Sequence, residues 1–226
     1  MIILNKRQRP GEDILSASKT TKQINYNLEK LIGALKYYGQ QGCREFVIDE
    51  SNEYVCVLLI KYFMQDPEFE KYGTNYSLLK GILLSGPIGS GKTVLMKAFD
   101  NMLANIGYIK FTYTIIPTRS IERDYIESGN EVITTYGKKS YKSDNEQRIY
   151  CFDDLGLESG DSKYYGNQMS VMSEIFLDRY DLGLLTHATT NLTTENLEKI
   201  YGERIRSRMS EMFNLVQLIG PDRRKK

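Results

Sequence analysis

The chain has 226 residues, of which 41% are hydrophobic and 26% charged, with a formal net charge of +1. That length supports one well-buried domain with at most a small appendage. The near-balanced charge demands neither a polyanion nor a membrane as partner, so any basic surface must be local. Residues 1–42 are polar and charge-mixed, with one helix expected where Leu28, Leu31, Ile32, Leu35 and Tyr38 fall at helical spacing before a glycine stop. This stretch is too thin to bury a core, so 1–42 reads as a short partner-binding or linker segment and 43–226 as the main domain. "REFVIDESNEYVCVLLIKYFMQD" predicts an extended piece and then a helix, with Ser51 as N-cap and Tyr54, Val55, Leu58, Leu59 and Phe63 as its apolar stripe.

From there strand-like and helix-like stretches alternate. Strands are expected in "GILLSG" from 81, "YIKFTYTII" from 108, "RIYCFDDLG" from 148, "GLLTHATTN" from 183 and "FNLVQLIG" from 213. Helical spacing between them is carried by Leu95, Phe99, Met102, Leu103 and Ile106, and later by Met169, Met172, Ile175 and Phe176. Such alternation predicts an α/β fold with a parallel sheet flanked by helices. The segment "TTYGKKSYKSDNEQ", 134–147, is expected to be a mobile loop. Cys43, Cys56 and Cys151 are odd in number and set apart among apolar residues, which favours free thiols in a reducing compartment over a disulfide frame or a metal site. No run reaches the ~20 apolar residues of a bilayer span and the start is not a signal peptide, so a cytoplasmic protein without a membrane partner is expected.

"GPIGSGKT" fits the pattern Gly, four residues, Gly, Lys, Thr, and places Gly86, Pro87, Ile88, Gly89, Ser90, Gly91, Lys92 and Thr93, followed by Val94, between a strand and an amphipathic helix. Glycines let successive backbone N–H groups turn inward, and the helix N-terminus adds its dipole, so this turn is a nest for phosphate oxygens. It marks the fold as a P-loop NTPase, with Lys92 reaching the β- and γ-phosphates of ATP and Thr93 ligating Mg2+. A second acidic element follows an apolar run in "IYCFDDLGLE": Asp153 to hold the metal through water, and Asp154 to polarise an attacking water, with Glu158 as the alternative base. A third, "THATTN", offers Thr190 and Asn191 to orient that water, and His187 as either a structural residue or a catalytic one.

The order of cradle, acid pair, polar strand and "YGERIRSRMSEMFNLVQLIGPDRR" resembles an AAA+ ATPase. More narrowly, "DDLGLE", "FLDRYDLGLLTHATTNLT" and "GERIRSRM" resemble the bacterial replicative helicase loaders of the DnaC/DnaI type, with the IstB-type transposition helpers close by. The resemblance runs from about Phe46 to the C-terminus. It implies an oligomeric ATPase with sites between subunits, in which Arg208 reaches the neighbour's γ-phosphate with Arg204 as a second cation. The alternative is that Arg204, Arg206 and Arg208 form a solvated helix face. It also implies a replicative helicase as partner and a channel for single-stranded DNA in the segment holding Arg119, Arg123, Lys138, Lys139, Tyr141 and Lys142, for which Glu122, Asp124 and Glu127 leave a solvated helix as the alternative. No counterpart of the lid of larger AAA+ proteins is expected after Gly220, which leaves Arg223 or Arg224 as the expected stand-in for the lid's nucleotide-sensing residue. An IstB-like helper on duplex DNA and, more remotely, a small-molecule or nucleotide kinase are the alternative functions.

Overall fold

The computed structural model describes residues 26–138, 148–156, 163–164, 167–168 and 170–225. Helix α1 (Leu28–Gly42) is capped by the Asn27 side chain, which accepts from Lys30 N–H, and α2 (Glu53–Phe63) follows a loop. Residues 44–50 form that loop and no strand. The N-cap of α2 is Asn52, not Ser51, because Asn52 is drawn inward: its Oδ1 accepts from Asp49 N–H at 2.9 Å and its Nδ2 donates to the Val47 carbonyl at 2.9 Å.

Strand β1 (Gly81–Ser85) leads into α3 (Lys92–Asn105), and β2 (Thr114–Pro117) into α4 (Thr118–Ser128) and α5 (Asn130–Tyr136). β3 (Tyr150–Leu155) is followed by a two-residue hairpin, β4 (Lys163–Tyr164) with β5 (Asn167–Gln168), and then α6 (Val171–Asp181). β6 (Thr186–Thr190), α7 (Thr194–Met212) and β7 (Phe213–Gln217) complete the fold.

Five strands make one sheet in the order β2-β3-β6-β1-β7, with every pair parallel. Both faces are covered, as a parallel sheet with crossover helices requires, and side chains alternate between two cores along each strand. Ile82, Leu84, Cys151 and Val216 point into one core with Leu35, Leu59, Phe63 and Phe99, whereas Leu83, Phe152, Ala188 and Phe213 point into the other with Ile121, Ile175, Phe176 and Ile205. The helix expected near the N-terminus is part of the first core: Leu35 is fully buried, and the Asn101 side chain of α3 donates to the Tyr38 carbonyl of α1.

β2 is shorter than its apolar run suggested. Gly107 turns the chain at φ 86°, Ile109–Phe111 form a 3-10 turn, and Tyr113 is anchored by its N–H to Asp100 and its hydroxyl to the Met96 carbonyl before the strand begins. Of the expected loop 134–147, residues 134–136 end α5, and 139–147 lie outside the described residues.

Candidate functional site

At the carboxyl end of β1 the chain turns through the glycine-rich segment. Gly86 N–H donates to the Thr190 carbonyl at 3.2 Å, Ser90 N–H to the Pro87 carbonyl at 3.2 Å, and Leu95 N–H to the Gly91 carbonyl at 2.8 Å, where α3 begins. Gly89 is held at φ 80°, and a Cβ there would overlap the Asp222 carboxylate, so the position needs both a left-handed backbone and the missing side chain. Ile88 stands 62% exposed at the tip. The Lys92 ammonium donates to the Gly86 and Pro87 carbonyls at 2.9 and 3.0 Å, across the mouth of the turn. Burial holds its pKa below the ordinary lysine value, with Arg224 adding to the effect and Asp154 and Asp153 opposing it.

The acid pair meets the cradle through Thr93, whose hydroxyl lies 2.9 and 3.1 Å from the two oxygens of Asp153. Thr189 donates its hydroxyl to Asp153 Oδ1 at 2.7 Å and accepts from Asp154 N–H at 2.9 Å. Asp154 sits at φ 60°, in the left-handed region that aspartate tolerates better than most residues, and the β3–β6 register shifts between Phe152 and Leu155. Thr118 closes this bulge by donating to the Asp154 carbonyl at 3.0 Å. Burial raises the Asp154 pKa and the neighbouring Asp153 raises it further, while Lys92, Arg224 and Arg119 pull it down. A carboxyl raised in this way is a better proton acceptor than an ordinary surface aspartate.

Two buried polar atoms at this end of the sheet have no partner among the described residues, Ser90 Oγ and Asn191 Oδ1. Such orphans cost free energy unless a ligand or water satisfies them. Ser90 Oγ can donate to a phosphate oxygen and Asn191 Oδ1 can accept from a water, which fits a bound polyphosphate with its hydrated cation. Thr93 and Asp153 suit Mg2+, which takes few protein oxygens and keeps water and phosphate oxygens for the rest. No cluster of three His, Cys, Asp or Glu side chains exists among the described residues to hold a softer metal, and the three cysteines are free thiols. Burial pushes the Cys56 pKa up to about 12 and that of Cys151 well above normal, so both are inert.

Other expected site residues have different surroundings. Thr190 is committed to the backbone, donating to the Leu155 carbonyl at 2.9 Å and accepting from Leu192 N–H at 3.1 Å, which leaves Asn191 as the polar group at that strand end. His187 is 1% exposed; its Nδ1 accepts from Ile82 N–H at 3.0 Å among the rings of Tyr62, Phe63 and Tyr113. Burial, with Arg179 adding, drives its pKa down to about 3, so it is a neutral structural residue. Arg204 and Arg208 follow Gly202, whose φ of 82° breaks α7 and starts a second helical segment. No atom lies near a Cβ at Gly202, so backbone freedom and not space selects glycine there.

Arg208 lies over the Tyr180 ring, 4.7 Å from its centroid and 3.9 Å from Glu211, which also accepts from the Tyr180 hydroxyl. These partners orient the guanidinium without burying it. Arg204 is exposed, and Arg206 pairs with Glu198 at 2.9 Å. The segment assigned to DNA divides: the charge of Arg119 acts on Asp154, Arg123 is exposed on α4, and Lys138 pairs with Asp178 at 3.4 Å. Lys139, Tyr141, Lys142 and Glu158 lie outside the described residues. Arg223 is bound to Asp49 and Ser51, and Arg224 is the tail cation whose charge is felt at both Lys92 and Asp154.

Sequence reasoning missed Thr189, Thr118 and Arg179. Five consecutive buried residues in "THATT" were a signal, because polar groups in a buried strand must be satisfying something. Arg179 is fully buried on α6, donating to the Thr186 hydroxyl at 2.8 Å and to the carbonyls of Tyr136, Arg148 and Leu185 at 3.0, 3.2 and 2.9 Å.

No protein-family profile matches the chain, and no curated protein matches it. Solved structures do. The DnaC helicase loader superposes with a TM-score of 0.52 at 18% identity, covering 78% of this chain and 94% of that one. DnaI does so with a TM-score of 0.51 at 22% identity, over 80% and 88% of the two chains. AMPPCP-bound DnaA from Aquifex aeolicus gives a TM-score of 0.50 at 21% identity, over 77% of this chain and 48% of that one. The five-stranded parallel sheet flanked by helices is thus a fold shared with these structures. Among the described residues, no helix is long and apolar enough to cross a membrane.

Proposed function

We propose that the protein is a Mg2+-dependent ATPase that assembles with copies of itself, binds single-stranded DNA and helps place a replicative helicase upon it. The observation that carries the ATPase reading is the Thr93–Asp153 contact beside the glycine turn, with Asn191 Oδ1 unpartnered at the neighbouring strand end. Gly86–Val94 hold the phosphates through backbone N–H groups and Lys92; Thr93 and Asp153 hold the metal. Mg2+, when bound, neutralises charge on the transferring phosphoryl group. Asp154 accepts the proton of the attacking water, and Asn191 orients that water. Arg208 of one subunit stabilises the charge that develops on the γ-phosphate held by the next, which couples hydrolysis to assembly.

The replication role is supported by likeness of fold to a protein described as a helicase loader and by a DnaA structure bound to AMPPCP and single-stranded DNA. Arg123 and Arg119 on α4, with the basic segment after α5, supply cations for the DNA phosphates. The test is purification from the source cell with ATP or a slowly hydrolysed analogue. Recovery of a hexameric helicase, and hydrolysis releasing inorganic phosphate, are the expected results. Recovery of a transposase with preference for duplex DNA, or phosphate transfer to a small acceptor, would overturn this assignment.

A further inference from the structure

Residues 218–225 belong to no helix or strand, yet they are firmly tied. After β7, Leu218 N–H donates to the Ser85 carbonyl at 2.7 Å, which carries the chain alongside the start of the cradle. Arg223 N–H then donates to the Gly89 carbonyl at 2.9 Å, and Arg224 N–H to Asp222 Oδ1 at 3.1 Å. The Asp222 carboxylate fills the space a side chain on Gly89 would need. The Arg223 side chain runs past Gly91, its Cδ 3.4 Å from where a Cβ on that glycine would stand. Its guanidinium ends on Asp49 Oδ1 and Ser51 Oγ, both at 2.7 Å.

Asp49 is prepared to receive it. The same carboxylate oxygen accepts from Ser51 N–H at 3.0 Å and from the Ser51 hydroxyl at 2.6 Å. The hydrogen bond from Arg223, followed by that from Ser51, holds the Asp49 pKa down at about 2. The loop before α2, the tail and the glycine turn therefore form one closed band beside the N-terminus of α3. The contact joins residues 174 positions apart in sequence, so it fixes a tail that no ladder of backbone bonds would hold.

We propose that this band is a clasp on the nucleotide, in which Arg223 is a positioning residue that acts through Asp49 and Ser51 to hold the tail against the cradle and so sets how long nucleotide stays bound. The inference rests on the reading of Gly86–Val94 as an ATP site. Arg223 takes no part in cleavage: its guanidinium is spent on the loop before α2. Opening the clasp frees the tail and uncovers the flank of the turn, while the groups around Asp153 and Asp154 stay in place.

The test uses the full chain and a fluorescent ribose-labelled ADP, with release followed by chasing with excess unlabelled nucleotide. Arg223→Ala and Asp49→Asn are each expected to speed release about fivefold, the size of effect that one partly exposed ion pair supports. Arg223→Lys keeps the charge on a shorter side chain that reaches Asp49 and Ser51 less well, and recovers part of the retention. The exchanged pair, Asp49→Arg with Arg223→Asp, is expected to return release to within about twofold of wild type. Single-turnover hydrolysis of pre-bound ATP should be the same in all of them.

Wild-type release rates in both single variants, or an effect of Arg223→Ala that Asp49→Asn does not share, would overturn the clasp while leaving the ATP site intact. A slowed cleavage step in Arg223→Ala would overturn it by making Arg223 catalytic. A wild type that holds no nucleotide would overturn both the clasp and the functional reading beneath it.

Discussion

The two ends of strands β3 and β6 use polar residues in opposite ways. At the amino end, Arg179, Thr186 and His187 are buried and bonded to named partners: the arginine to three carbonyls and a hydroxyl, the histidine to a strand N–H. At the carboxyl end, Asp153, Asp154 and Thr189 crowd together, while Asn191 Oδ1 and Ser90 Oγ have no partner among the described residues. The first arrangement lowers the cost of burying polar groups and locks neighbouring elements together. The second leaves part of that cost in place, which is worthwhile only if a ligand relieves it. Open parallel sheets bind ligands outside the carboxyl ends of their strands, and the chain follows that rule in how it distributes its unpaired atoms.

The contrast can be broken at either end. The largest effect is expected from Arg208, which stands near the amino ends of its own strands and is proposed to act on the carboxyl-end site of a neighbour: Arg208→Ala should cut the turnover of the assembled protein about a thousandfold while equilibrium ATP binding is kept. At the amino end, Arg179→Ala should cost about 3 kcal/mol or more in urea unfolding, since three carbonyls and the buried Thr186 hydroxyl lose a charged donor at once. Nucleotide affinity measured where the variant remains folded should be unchanged.

His187 gives a smaller effect with a definite pH window. Its pKa is about 3 in the fold and near the ordinary 6.5 when unfolded, so between those values the unfolded chain binds the extra proton. The stabilisation is complete above pH 6.5 and is lost as pH falls toward 3. Between pH 6.5 and 5 the loss should be about 2 kcal/mol, and His187→Gln should remove that slope. Smallest of all, Arg123→Ala should weaken single-stranded DNA binding a few-fold and reduce the slope of log K against log salt by about 0.7, read from titrations at several salt concentrations.

The parts of this molecule legible in the sequence are those whose chemistry is local. The strand, glycine turn and helix from Gly81 to Asn105 are dictated residue by residue, because the left-handed glycines, the N-terminal lysine and threonine and the apolar stripe all act within one turn of themselves. Asp153 and Asn191 were legible for the same reason, each being a polar group at the end of an apolar run. What escaped depends on register and on distant pairing. The charge of Arg119 is felt at Asp154 because β2 pairs with β3 so that Pro117 lies opposite Asp153, and no spacing in the chain reveals this. Ser51 read as a helix cap, but Asn52 takes that place through Asp49 and Val47, and the Ser51 hydroxyl instead meets Arg223. The apolar run from 108 looked like strand throughout, but Gly107 and the anchoring of Tyr113 to α3 delay the strand to Thr114.

In the proposed assembly, a phosphate cradle on one chain is completed by Arg208 from another. The most direct test mixes two inactive proteins, Arg208→Ala and Asp154→Asn, and measures ATP hydrolysis as their ratio varies. At some mixed interfaces an intact acid pair meets an intact arginine, so turnover should reappear and peak near equal amounts. Mixtures that associate yet stay as inactive as either parent at every ratio would contradict a catalytic arginine supplied in trans.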